Sequence, residues 1–418
     1  MPPRLRIVQV TKAFYPGPPG GVEIHTSDLI KALAPHHEVA VFTKSTALVG
    51  DSEIDGVRVR AVPETDPGDD DPERAVAAFE ELLAAVRPDV VHYQYLGANG
   101  LAVARRLTHA VRRRGTPSVL SLHDYWYACP RHTLFDWHES ACAGPASRRC
   151  GRCMGGWDTR NPVRWLRRGL GQRTRRRAFL DLARRSGILV AVSEHVRRRY
   201  ESLGFPAEQM MVIRPGLSLP AAPPPPAPAD GPLQVAFLGR LVPEKGVHVL
   251  LAALRDVRAP CVVDLWGPIG PGYEARLRRL IVGSPHPVRF RGLYDHEDLD
   301  AVLAPVHVVV VPSLWEEAFG LVVQEALARR RVVIASRMGG LVEQIRDGEN
   351  GYLVAPADAA GLAAALDAVA AARPGTSLHG DAGVRSIGEE AEAWARLYTR
   401  LAARSRDDPA VIAARLGA

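Results

Sequence analysis

Short runs of β-branched and aliphatic residues recur along the chain, each followed by a stretch with helical spacing, and this alternation restricts the possible folds more than any other feature. Strands separated by helices of about 10 to 15 residues assemble into parallel sheets with helices on both faces. In the first half the candidate strands are 5–10, 39–43, 57–62, 90–95, 118–122 and 189–192, with helices expected over 22–33, 72–86 and 99–113. The run AAPPPPAPADGP over 221–232 then breaks the pattern, since consecutive prolines favour an extended connector over a packed element. Beyond it the alternation resumes, with strands expected at 234–238, 262–266, 288–290, 307–311, 332–335 and 352–354. Helices are expected from Gly246, Tyr273 and His296, over 319–330, and finally over 389–404, the last free to pack on either half. The expected fold class is α/β, with two doubly wound domains at 1–215 and 233–385, a linker at 216–232 and a helical tail at 386–418. Such sheets bind ligands at the carboxyl ends of their strands, which places a candidate site in the cleft between two of them.

Composition excludes several classes. A chain of 418 residues with 47% hydrophobic and 24% charged residues has the material for two or three packed cores and is not a disordered chain. No run of about 18 uncharged apolar residues is present, so no membrane span is expected. The opening MPPRLRIVQV enters a strand pattern directly without the regions of a secretion signal, so the expected compartment is the cytoplasm. Lysine and arginine total 53 against 46 acidic residues, and only Lys12, Lys31, Lys44 and Lys245 are lysines.

Three motifs lie at strand-to-helix turns. After the first strand, Gly20-Gly21-Val22-Glu23 opens a helix; glycines there allow close backbone approach to an anion at the helix N-terminus, or simply make a tight turn. At the start of the second half, Gly239-Arg240 and Lys245-Gly246 put a guanidinium and an ammonium in one loop, suited to a diphosphate or to plain solvation. The third is Glu316-Glu317-Ala318-Phe319-Gly320 continuing to Glu325. Read as one helix, Glu317 and Glu325 fall on one side about 12 Å apart, a span matching the two ends of a sugar nucleotide. Acidic residues in a first helical turn are otherwise ordinary dipole partners.

Taken together, in order and spacing, these motifs resemble the retaining glycosyltransferases of the two-Rossmann-domain type (GT-B), family 4 in particular. The resemblance spans nearly the whole chain and includes His25, Gly339-Gly340, Asp347-Gly348, Asn350-Gly351 and Leu353-Val354. It implies two Rossmann-like domains facing each other across a cleft, and transfer of a sugar from a UDP- or GDP-sugar to an acceptor hydroxyl on a glycan, a lipid-linked glycan or a natural product. It further implies that Arg240 and Lys245 hold the donor diphosphate, with Gly20 and Gly21 closing over it. Glu325 would bind the ribose and Glu317 the transferred sugar, with the amides around Phe319, Gly320 and Leu321 on sugar or phosphate. The loop 291–294 would lie near the base. His123, after the strand 118–122, would face the transferred sugar by hydrogen bonding, whereas His25 and His92 carry no comparable expectation. Other activities on such a scaffold are an epimerase or a phosphorylase, and a non-catalytic partner subunit is a different class. No catalytic metal is expected, because Asp69–Asp71 sit in a Pro- and Gly-flanked loop that reads as surface.

Two features exceed that pattern. Four of the five cysteines, Cys129, Cys142, Cys150 and Cys153, fall in an insertion over about 125–160, with 12, 7 and 2 residues between them. Four thiolates with a Cys-x-x-Cys pair suit structural zinc, with an iron–sulfur cluster, redox disulfides and plain thiols as alternatives; Cys261 reads as a core residue. From Arg160 to Arg199 thirteen arginines face only Asp181 and Glu194. They suit an anionic membrane surface at the inner face, an acidic acceptor, or a solvated helix face. No base-reading module accompanies them, so nucleic acid is not an expected partner.

Overall fold

The computed structural model describes residues 3–14, 20–45, 49–63, 72–96, 100–154, 162–220, 227–372 and 383–407. These form two compact units: 1–132 with 144–218 and 385–418, and 133–143 with 219–384. The first half of the proline run, 221–226, and Asp69–Asp71 lie outside the described residues.

The first unit runs β1 (Arg6–Val10), α1 (Gly21–Leu33), β2 (Glu38–Ser45), β3 (Gly50–Ile54), β4 (Val57–Pro63), α2 (Pro72–Val86), β5 (Val90–Tyr93), α3 (Gly100–Arg113) and β6 (Ser118–Leu122). It continues through α4 (Ser147–Cys153), α5 (Pro162–Arg185), β7 (Ile188–Ala191), α6 (Glu194–Ser202) and β8 (Met210–Val212). Its eight-stranded sheet has the order β3-β4-β2-β1-β5-β6-β7-β8. Every pairing is parallel except β3 with β4. That hairpin turns at Asp55-Gly56, where φ is 51° and 75°, the left-handed pair that a two-residue turn requires. Ser193 caps α6 by accepting from the Val196 amide, which sets the helix start directly after β7.

The second unit holds β9 (Leu233–Leu238), α7 (Val247–Ala253), β10 (Cys261–Trp266), α8 (Glu274–Ile281), β11 (Val288–Gly292), α9 (Leu299–Leu303) and β12 (Val308–Val311). Then follow α10 (Leu321–Ala328), β13 (Val332–Ser336), β14 (Gly351–Val354) and α11 (Ala359–Ala371). All pairings in the six-stranded sheet β11-β10-β9-β12-β13-β14 are parallel. Its strand β12 is four buried valines, the continuous apolar run expected where helices cover both faces. In each sheet the chain reverses direction of travel beside the first strand, between β1 and β5 and between β9 and β12. These two places are where the loops part and a ligand crevice opens.

The last helix, α12 (Ile387–Asp407), belongs to the first unit although it comes last in sequence. Ala391, Trp394, Leu397 and Tyr398 join the core formed by Leu5, Ile7, Leu29, Val41 and Val90. Trp394 is 3% exposed and donates from Nε1 to Glu390. Trp394→Ala is therefore expected to destabilise the first unit by about 3–5 kcal/mol in urea titrations; a loss below about 1 kcal/mol would mean that the helix contributes little to that core.

Among the histidines held neutral in this unit are His92 and His37. His92 is fully buried and its pKa lies well below 6.5, through desolvation and then the nearby His123. His37 is lowered by burial, then by His36 and Arg4. Both bind protons more readily in the unfolded chain, so their contribution is complete above pH 6.5 and declines as pH falls. For His92 the slope is about 1.4 kcal/mol per pH unit. Melting from pH 8 to pH 5 should show this loss, and His92→Gln should flatten the slope while lowering stability throughout.

Candidate functional site

In the second unit the loops after β9 and β12 meet at the reversal point. Lys245 Nζ lies 2.6 Å from Glu317 Oε1, and the Ser313 hydroxyl donates to the same oxygen at 2.6 Å. The two side chains are 24% and 5% exposed, so this ion pair is largely removed from water. The Lys245 ammonium also sits 5.2 Å from the centre of the Trp315 ring. Backbone closeness makes this possible. Gly246 has φ 68°, and a Cβ there would come within 1.8 Å of the Pro312 carbonyl oxygen. A Cβ on Gly339 would lie 2.5 Å from the Glu317 amide nitrogen, and the Gly340 amide donates to the Glu317 carbonyl at 2.7 Å.

The structure corrects one expectation here. Glu317 is not on the helix that carries Glu325, because Gly320 has φ 89° and α10 begins only at Leu321. The left-handed residue bends the chain and lets Glu317 turn toward Lys245. The first amides of α10, at Leu321 and Val322, precede the helix's own hydrogen-bond ladder. Behind them the Gln344 side-chain amide donates to the Phe319 carbonyl and accepts from Gln324 at 2.9 Å, fixing the turn. Glu325 lies inside α10, 13% exposed, with Oε1 3.9 Å from His296 Nδ1. Its charge adds to burial in raising the Tyr294 phenol. Of the 291–294 loop, Tyr294 packs edge-on to Trp266 at 5.9 Å, while Leu293 is 75% exposed. Arg240 is 62% exposed and only 3.9 Å from Glu244, an arrangement that leaves its guanidinium accessible.

In the first unit, His123 follows β6 and its Nε2 is 2.8 Å from Gln94 Oε1. Burial and the neighbouring His25 bring its pKa down to about 3. The His25 ring centre is 6.3 Å away, and His25 Nε2 donates to Glu390 Oε2 at 2.7 Å. Sequence reasoning set His25 aside; its place four residues after the glycine pair, one turn into α1, was the available signal. Gly20 caps α1, where a Cβ would meet Glu23 Oε2 at 2.6 Å, and Gly21 starts the helix.

The zinc expectation is not met. Among the described residues no three histidine, cysteine, aspartate or glutamate side chains are grouped to hold a metal ion. Cys150 and Cys153 lie one turn apart on α4, and Cys129 follows the turn at Tyr125. Cys142 closes a small loop, where its amide donates to Leu134 and Phe135 bridges Ala141, and this loop belongs to the second unit. Within that unit Glu139 takes both its oxygens to Arg276, at 2.7 and 2.8 Å. The arginines of α5 are likewise not one solvated face. Arg175 stacks on Trp126 and Phe179 at 4.5 and 4.6 Å and Arg176 donates to Leu203, whereas Arg173, Arg177 and Arg184 are exposed. No helix among the described residues is long and apolar enough to cross a membrane.

Comparison with known proteins fits this geometry. The family model for Glycosyltransferase Family 4 matches residues 19–219, and that for Glycosyl transferases group 1 matches 232–371. A glycogen synthase of Mycobacterium tuberculosis is 29% identical over 388 residues, which is 87% of this chain and 86% of that protein. A phosphatidyl-myo-inositol mannosyltransferase of Mycobacterium leprae is 37% identical over 186 residues, 43% of this chain and 49% of its own length. Among solved structures, a sucrose-phosphate synthase from Thermosynechococcus elongatus superposes with a TM-score of 0.71 at 21% identity, covering 96% of this chain and all of the other. Anabaena HepE in complex with UDP-glucose gives 0.64 at 20%, covering 97% and 99%. With a Glycosyltransferase Family 4 match over the first half, a Glycosyl transferases group 1 match over the second, and a sheet of the matching kind in each, the chain carries glycosyltransferase domains of these two kinds on the GT-B fold.

Proposed function

We propose that the chain is a retaining glycosyltransferase that moves a sugar from a nucleoside-diphosphate sugar to an acceptor hydroxyl without a catalytic metal. The observation that carries this reading is the Lys245–Glu317–Ser313 cluster, a nearly buried ion pair at the reversal point of the second sheet. A buried charge pair is expensive to keep, and a site for an anionic ligand accounts for it better than stability does. On donor binding the diphosphate would take the ammonium of Lys245 and the forked guanidinium of Arg240, with the Leu321 and Val322 amides adding neutral donors. Glu317, released in part from Lys245, would accept from hydroxyls of the transferred sugar, and Glu325 from those of the ribose. The bond that breaks joins the anomeric carbon to the diphosphate, so charge accumulates on phosphate. Cations preset around it lower the barrier without reorganising solvent. His123, held neutral, would hydrogen-bond the transferred sugar, with Gly20 and Gly21 allowing close approach over the donor.

Anabaena HepE, which shares this fold, has been solved in complex with UDP and glucose, which supports a uridine donor as the first to try. The acceptor would be met by the first unit; the exposed Arg173, Arg177 and Arg184 favour an anionic acceptor or an anionic lipid surface nearby.

Two measurements test this. Purified protein incubated with UDP-, GDP- and ADP-sugars should be stabilised selectively by one of them, with melting temperature rising with ligand concentration. Failure of every donor to stabilise the protein or release nucleoside diphosphate would remove the enzyme reading. Lys245→Ala and Arg240→Ala should each lower kcat/KM by roughly 10²-fold, on the scale of about 2–3 kcal/mol for a charge-assisted phosphate contact. Arg240→Ala should do so at unchanged stability, since that side chain is exposed, and parent-like donor affinity in both variants would exclude the diphosphate role.

A further inference from the structure

Beneath His123 lies a set of buried polar side chains that the donor chemistry does not use. Gln9, His92, Gln94 and Ser121 come from β1, from β5 and the residue that follows it, and from β6, each no more than 2% exposed. Tyr398 of α12 reaches them, and it is fully buried too. Polar groups this deep persist because each satisfies another.

With the amides as the structure places them, the bonds run in one sense. The Tyr398 hydroxyl accepts from Gln9 Nε2 at 3.3 Å, and its own buried proton has His92 Nδ1 as acceptor at 2.6 Å, so it donates to His92. The other nitrogen of His92 then carries the proton and donates to Ser121 Oγ at 2.8 Å. Gln94 Nε2 donates to Gln9 Oε1 at 3.3 Å and lies 3.3 Å from His92 Nδ1. The remaining amide atom, Gln94 Oε1, can only accept, and it faces His123 Nε2 at 2.8 Å. Reversing any one of these bonds would require reversing the rest.

We infer that α12 is a positioning element for the reaction: through Gln9, His92 and Gln94, Tyr398 keeps the His123 ring proton on Nε2, leaving Nδ1 as a hydrogen-bond acceptor for a sugar hydroxyl. Gln94 is the residue in direct contact, and Tyr398 sets its orientation from 304 positions away in sequence. Glu390 on the same helix fixes the neighbouring His25 ring, which donates to it from Nε2, while also accepting from the Gly216 amide at 2.6 Å. His123 thus presents a lone pair, a partner for a hydroxyl and not for an unprotonated phosphate oxygen. This rests on the role given to His123 under Proposed function.

Ring nitrogen resonances of full-length protein labelled with 15N-histidine test it, with His123 assigned from a His123→Ala spectrum. The parent should show one neutral tautomer protonated at Nε2. Gln94→Leu and Tyr398→Phe should mix or exchange the tautomers and lower kcat about tenfold, with donor KM within about twofold, while melting shows both variants folded. Gln94→Glu, which keeps an acceptor opposite Nε2, should preserve the parent tautomer. An unchanged ring proton in both Gln94→Leu and Tyr398→Phe overturns the inference whatever turnover does. Parent-rate turnover by His123→Ala would instead defeat the role given to His123; the two failures are distinguishable because the tautomer is read without turnover.

Discussion

The contact between Lys245 and Glu317 constrains more of the second unit than its size suggests. An ion pair taken out of water is tolerated only with good geometry and further hydrogen bonds. Here that geometry is set by backbone: Gly246 against the end of β12, Gly339 and Gly340 against Glu317, and Gly320 ending the loop. A side chain on Gly246, Gly339 or Gly340 would push two segments apart, and at Gly320 the left-handed φ of 89° would strain any other residue. The loops after β9, β12 and β13 are therefore built as one object, and the carboxylate, the ammonium and the start of α10 hold their places together.

The first unit solves a related problem differently. Its sheet carries glutamine, histidine and serine in positions where parallel strands normally hold valine and isoleucine, and a helix from the far end of the chain satisfies them. Both units thus keep polar groups in dry surroundings at the carboxyl ends of strands. In the second the groups are charged and lie beside a loop suited to phosphate. In the first they are neutral, and burial together with His25 holds His123 far below the ordinary histidine range.

Much of this was legible from residue patterns. The parallel strands announced themselves as apolar runs, and the glycine and charge motifs fell at the turns where the sheets reverse. Local signals that went unread were the Asp55-Gly56 turn, which makes β3 and β4 a hairpin, Ser193 as the cap of α6, and the alanine-rich helix α11. Other features were not local at all. The break before α10 depends on Gly320 being left-handed, so Glu317 and Glu325 were wrongly placed on one helix. His25 and Glu390 stand 365 positions apart, and no window of sequence joins them. The cysteine spacing suggested a metal, but spacing fixes only distance along the chain, and the loop with Cys142 packs with the other unit.

The place of α12 in the first core has a consequence for how the protein is made. Residues 385–407 complete a core begun by residues 5–10, so the amino-terminal half emerges from the ribosome without part of its core. Part of its apolar surface stays unsealed while the intervening segment of well over a hundred residues is synthesised, on the order of ten seconds at 5–20 residues per second. The second unit is nearly continuous in sequence and needs only the 133–143 loop from earlier, so it is able to form first. An exchange of whole domains between relatives would have to carry the last helix with the first half.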